Sequence, residues 1–261
     1  MRILLSTAVA IIAFGGSSAS AQITTPSFID SIRVAIETAN ELADLPTLEN
    51  AVAATERAIA AGASDPRSNV PLLRHYRAYA LYRAGSLVLG RDGTGKARPY
   101  FDRARDELEP LTNGTTIPES YALLSAVYGM QIATARVQMV AGMKLGSKSS
   151  SLANRAIEIA PKNPRAYLIR GIGSFNTPST FGGGMDKAEA DLKKAIELFA
   201  SDDPPAPLPK WGLADAHIWL GRVYANAHHV DSARAEYQAA LAIQPRNAWV
   251  VTTLLPSLAK P

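Results

Sequence analysis

Gly221 precedes Ala233 by 12 residues, and Gly85 precedes Ala97 by the same interval. The residues around each pair recur with it. The stretch 214–247 reads ADAHIWLGRVYANAHHVDSARAEYQAALAIQPRN, with Leu220-Gly221, Tyr224, Ala233, Tyr237, Ala240 and Pro245 in order. In the earlier copy Phe101 and Ala104 stand at the offsets of Tyr237 and Ala240, and Pro110 follows one residue late. Apolar and small residues at this spacing describe two amphipathic helices joined by a short turn. One such pair cannot bury its apolar face alone, so a chain that repeats it must stack the copies into one continuous core.

Three further copies follow the pattern less closely. Near the start, Thr25-Pro26-Ser27 opens a helix carrying Phe28, Ile29, Ile32, Val34, Ala35 and Leu42. Leu45-Pro46-Thr47 is expected to break that helix and cap a second one with Ala51, Thr55 and Ala58, and Ala39 stands where the other copies have Gly. In the third copy Tyr121, Leu124, Ser125 and Tyr128 mark the first helix, but Ser149, Ala153, Ala156 and Pro161 arrive 12 residues late. The extra residues, around 132–146, are expected to lengthen the first helix and end in a loop at Gly142–Gly146. In the fourth copy five extra residues separate Gly171 from Ala188. They fall in Asn176-Thr177-Pro178-Ser179-Thr180-Phe181-Gly182-Gly183-Gly184, a run that opposes regular helix. This loop is either a binding tip or, the favoured expectation, an accommodating turn with Phe181 packed on the stack. Pro204, Pro205, Pro207 and Pro209 then make a stiff, extended linker.

These motifs resemble the tetratricopeptide repeat (TPR) and, within that family, exported bacterial members, with His217 in place of the usual Trp. The resemblance implies an all-α, right-handed superhelical solenoid. About five repeats are expected, at 27–63, 69–110, 118–161, 164–200 and 211–246, with a capping helix over 247–256. It further implies that ligands meet the concave face, at positions 2, 5, 6, 9, 12 and 13 of each repeat. The groove residues carried over are Tyr79, Tyr82, Arg83, Arg165, Phe175, Asn176, Trp219, Arg222 and Asn226. Aromatics with arginines suit a protein or peptide segment. Each aromatic also has a second reading, as core between repeats. The paired Lys and Asn clamp that some members use for a C-terminal carboxylate is not reproduced.

Composition narrows the function class. With 47% hydrophobic residues in 261, the chain has the means for a large core. A net charge of +4, with the basic residues dispersed, argues against nucleic acid as partner. The absence of cysteine excludes disulfides, thiolate metal sites, a cysteine nucleophile and a lipoprotein anchor. Arg2, the apolar run Ile3–Phe14 and the closing Ala19-Ser20-Ala21 form an export-signal pattern over 1–21. Cleavage is expected after Ala21, giving a periplasmic or secreted protein with no stable membrane insertion. Gly90 to Ala97 approaches a phosphate-binding loop, but Ala97 stands at the Ser/Thr position and no strand precedes it. His228-His229 is expected in a solvated turn, with His75 and His217 isolated. Asn113-Gly114-Thr115 is a glycosylation sequon by pattern. No catalytic constellation, cofactor site or metal site is read. The expectation is therefore a non-catalytic scaffold that binds a protein or peptide in its groove. The alternative is a small-molecule or solute-binding accessory protein of a transport system.

Overall fold

The computed structural model describes residues 25–62, 68–113 and 117–259. The export-signal segment 1–21 and part of the 113–115 sequon lie outside the described residues. Within them the regular structure is helical, in five antiparallel pairs. The first is α1 (Pro26–Leu42) with α2 (Leu45–Gly62), and the second is α3 (Val70–Asp92) with α4 (Thr94–Leu108). The third is α5 (Pro118–Ala133) with α6 (Gln138–Ile159), the fourth α7 (Pro164–Asn176) with α8 (Met185–Phe199), and the last α9 (Leu213–Asn226) with α10 (Val230–Ile243). Partners within a pair pack together, and the first helices also touch each other from pair to pair, α1 on α3, α3 on α5, α5 on α7 and α7 on α9. That ladder of first helices is the inner face of the solenoid.

Local chemistry sets the helix ends. Thr25 caps α1, its Oγ1 accepting the Phe28 N–H at 3.3 Å, with Pro26 in the first turn. Asp44, and not Thr47, caps α2: its carboxylate accepts the Thr47 N–H at 3.2 Å and the Thr47 hydroxyl at 2.6 Å. Asn69 and Asn163 cap α3 and α7 in the same way. The turn between α3 and α4 is Gly93 alone, because its φ of 84° reverses the chain in one residue.

The recurring glycines mark the closest approach of each pair. A Cβ on Gly221 would lie 2.5 Å from the Tyr237 ring, one on Gly85 2.8 Å from Phe101, and one on Gly171 2.9 Å from Leu192. The expected alanine partners, Ala97, Ala188 and Ala233, are fully buried one turn earlier on the second helices. They let the second helix come near enough for the larger side chain to cover the glycine.

The third pair departs from expectation. α5 ends at Ala133, and the extra residues extend α6 at its start instead of lengthening the first helix. Gly142 and Gly146 lie inside α6, since a glycine costs only about 1 kcal/mol in a helix interior. The outcome is a 22-residue helix in which Ala153 and Ala156 are the buried residues.

The solenoid bends until its ends meet. The Arg246 N–H donates to Glu41 on α1 at 2.9 Å, across 205 residues of sequence. Beyond α10 the C-terminal cap is formed as expected in place, with Val250 and Leu254 packed against Ile218 and Tyr237. Its geometry differs: a π turn over Val250–Leu254 runs into Leu255–Ser257 and through Pro256, not up to it.

Candidate functional site

The inner face divides into two halves. In the first, over α3 and α7, the segment 201–212 lies against the helices as a strap. The Tyr76 hydroxyl donates to the Pro207 carbonyl at 2.7 Å. The Trp211 ring stacks on Tyr79 at 4.9 Å between centroids, with the planes 22° apart. Arg165 reaches the strap with a forked pair of hydrogen bonds to Asp202, at 2.6 and 3.2 Å, and its guanidinium lies over Phe199 and Trp211. Gly212 turns the strap into α9 at a φ of 109°, where a Cβ would meet Leu168 at 2.8 Å. Beside the strap, Arg83 pairs with Asp215 of α9 and donates to the Tyr79 hydroxyl, which in turn donates to Glu37 of α1.

Burial governs the electrostatics here. It pushes the Tyr79 hydroxyl well up, and raises Glu37 against the opposing pull of Arg83. His75, beside Tyr76 on α3, is fully buried with Nδ1 3.0 Å from Ser120 Oγ, and burial with nearby Arg165 pulls it down to about 3. It is therefore neutral at pH 7. His75 and His217 are not isolated as expected; His217 Nδ1 sits 2.7 Å from Glu236.

Four of the nine groove residues read from the sequence thus find different surroundings. Tyr79, Arg83 and Arg165 are buried and held by Glu37, Asp215 and Asp202 of the same chain. Tyr82 is half-buried beside Phe101 at 6.3 Å and Arg83. The physical reason is the strap and the closure of the ends, which put intramolecular partners where an open array presents free surface. Neither signal belongs to a repeat pattern. The four prolines and Trp211 in the linker were the available hint.

The second half is open and brings Phe175, Trp219 and Arg222 together. The Arg222 guanidinium lies 4.1 Å from the Trp219 ring centroid, 4.7 Å from Phe175 and 5.3 Å from Trp249. The rings stand edge to face, Phe175 on Trp219 at 5.4 Å and Trp219 on Trp249 at 6.1 Å. Repeat spacing supplies Trp219 and Arg222 from one face of α9 and Phe175 from the end of α7 (i, i+3 on a helix are neighbours). Trp249 comes from the C-terminal cap and is 40% exposed. It was missed because the segment served only as a cover; a lone tryptophan in a short cap was the signal. Asn176 turns its amide back to the Ile172 carbonyl at 2.8 Å, and Asn226 lies at the end of α9, outside the cluster.

Arg83 and Arg165 each have a carboxylate. Arg222 has none among the described residues, and burial lowers its pKa, with Tyr237 opposing. Three aromatic faces compensate the half-buried charge at about 0.5–2 kcal/mol each. A guanidinium fork of this kind matches the geometry of a carboxylate.

The remaining features are plain. The phosphate-loop-like stretch spans the end of α3 and the start of α4, with Lys96 paired to Asp92. His228 (φ 60°) and His229 form the exposed turn between α9 and α10. Phe181 is 80% exposed and does not pack on the stack, contrary to expectation. Gly183 is what fits the loop closely: a Cβ there would strike the Thr177 carbonyl.

No protein-family model and no curated protein matches the chain. Solved structures do. One is the HusA haemophore from Porphyromonas gingivalis, with a TM-score of 0.63 and 23% identity over 82% of this chain and 96% of that one. Another is a thermophilic TPR protein in Thermus thermophilus, with a TM-score of 0.58 and 20% identity over 90% of this chain and all of that one. The fold is of the tetratricopeptide type: an all-α solenoid of helix–turn–helix repeats.

Proposed function

We propose that this chain is an exported, non-catalytic scaffold that holds an extended protein or peptide segment at the Phe175–Trp219–Arg222–Trp249 cluster. One observation carries the reading: the Arg222 guanidinium is half-buried against three rings and has no carboxylate among the described residues. A segment with an acidic residue beside an apolar one would satisfy both parts, the fork by a carboxylate and the rings by contact. The test is capture from a periplasmic extract on immobilised protein. Trp249→Ala with Arg222→Ala is expected to lose the captured partner at a melting temperature close to wild type, because both side chains are partly exposed, and unchanged capture removes the reading. Export is tested separately, by an intact mass that starts at Gln22.

A second reading has one observation in its favour. A structure of similar fold is named a haemophore, which fits a small-molecule accessory protein of a transport system. The cluster then would take a flat anionic ligand, its ring against Trp249 and its carboxylate on Arg222. Hemin titration followed by absorbance separates the two readings. Saturable binding lost in Arg222→Ala, with no captured protein, favours the small molecule.

A further inference from the structure

The corner between α10 and the C-terminal cap carries Trp249 into the open half, and hydrogen bonds tie it at both ends. The Gln244 carbonyl accepts the Asn247 N–H at 3.1 Å, and Gln244 Oε1 accepts from the Asn247 side-chain amide at 2.8 Å. Asn247 is buried, and its Oδ1 accepts the Val250 N–H at 3.2 Å. Val250 is buried in the cluster of Ile218 and Tyr237. Trp249 stands between Asn247 and Val250, so any shift of the corner moves its ring against Trp219 and Arg222.

The corner is also held from the far end of the chain. Glu41, on the last turn of α1, accepts the Arg246 N–H at 2.9 Å. The Arg246 guanidinium is 3.9 Å from the same carboxylate; its side chain is 66% exposed, against 15% for Glu41. The backbone hydrogen bond is therefore the stronger tie, because it is short, charge-assisted and sheltered, while the ion pair is long and screened by water. One turn earlier on α1, Glu37 begins a second tie, through Tyr79 and Arg83 to Asp215 of α9. Asp215, Trp219 and Arg222 stand at i, i+4 and i+7, on one stripe of α9. The first helix thus reaches both walls of the cluster: α9 one turn before Trp219, and the cap three residues before Trp249.

We infer that Glu41 is a positioning residue for the Arg222 cluster: by holding the Arg246 backbone it sets where Trp249 stands. Its effect on a ligand rests on the proposed function, while its effect on Trp249 does not. A ligand that needs Trp249 in place favours the closed ends, and opening the ends weakens that ligand by the same factor. The purified protein is labelled with 5-fluorotryptophan, and its three resonances are assigned with Trp211→Phe, Trp219→Phe and Trp249→Phe. Glu41→Ala is expected to shift or broaden the Trp249 resonance and to leave that of Trp211, in the strap, unchanged. Glu41→Gln keeps an acceptor and Arg246→Ala keeps the N–H, so both are expected to match wild type. The ligand probe is the blocked dipeptide acetyl-Asp-Phe-amide, titrated while the Trp219 and Trp249 resonances are followed. Its affinity is expected to fall about 5-fold in Glu41→Ala and to hold in Glu41→Gln. The inference is overturned if the Trp249 resonance is the same in Glu41→Ala as in wild type, or if Trp211 moves as far, which is a general loosening. It is also overturned if Arg246→Ala acts like Glu41→Ala, or if the dipeptide binds Glu41→Ala as tightly as wild type. A wild-type protein that ignores the dipeptide, with Trp249 alone displaced in Glu41→Ala, counts against the proposed function and leaves the role of Glu41 standing.

Discussion

Arg165 and Arg222 sit on the same inner ladder, one on α7 and the other on α9, and their environments differ in one respect. Arg165 is 1% exposed between Phe199 and Trp211, with Asp202 on its fork. Arg222 is half-buried among three rings with no acid among the described residues. The strap supplies the difference. Where 201–212 crosses the inner face, arginine and aromatics have become core; where the strap ends, the same residue types remain at the surface. A buried charge needs its partner in the fold, while a half-exposed one can wait for a partner from outside.

The comparison can be broken most forcefully at Trp211. Trp211→Ala removes a nearly buried ring from the stack on Tyr79 and should cost about 3–5 kcal/mol in urea unfolding. Trp249→Ala in the open half should cost less than about 1 kcal/mol. Equal costs would mean that the strap is not part of the core. Next comes Asp202→Ala, which strands the Arg165 guanidinium and should cost about 3 kcal/mol by the same assay.

Acid distinguishes the halves as well. Buried His75, next to Tyr76 on α3, has its pKa lowered to about 3 by burial and by Arg165, against about 6.5 when unfolded. The unfolded chain therefore binds the extra proton first as pH falls. The stability from neutral His75 is complete above about pH 6.5 and is lost progressively toward pH 3, by up to about 1.4 kcal/mol per pH unit. Glu37, raised by burial, works the other way in the upper part of this window, because its native form takes up a proton before its unfolded form. Unfolding curves of wild type and His75→Asn between pH 7 and 4 should diverge, with the variant flatter. The smallest effect on stability belongs to Arg222→Ala, within about 0.5 kcal/mol by thermal melting, since it removes a charge that no carboxylate among the described residues neutralises.

The helix pairs were legible because Gly85, Gly171 and Gly221 need a close neighbour, and that need recurs along the chain, at an unchanged interval for Gly85 and Gly221. Fold class, the pairings and the C-terminal cover all follow from that local rule. Position within the inner face was less legible. Tyr79 and Trp219 both lie on first helices, yet Tyr79 is covered by Trp211, a residue 132 positions away in a linker without periodicity. Phe175, Trp219 and Arg222 came from the pattern, but Trp249 did not, because it lies beyond the last repeat. The overhang of α6 failed for a different reason. Gly142 and Gly146 suggest a loop locally, and only the tertiary course shows that the helix passes through them.

The central claim is that an outside ligand meets the open half and not the strap. A photoreactive phenylalanine analogue placed at Trp249 tests this against one placed at Leu208, which is 43% exposed on the strap. Both variants are irradiated in cells of the native host. The account predicts a covalent adduct from position 249 that disappears with Arg222→Ala, and none from position 208. Adducts from position 208 alone, or adducts from 249 that persist without Arg222, would contradict it.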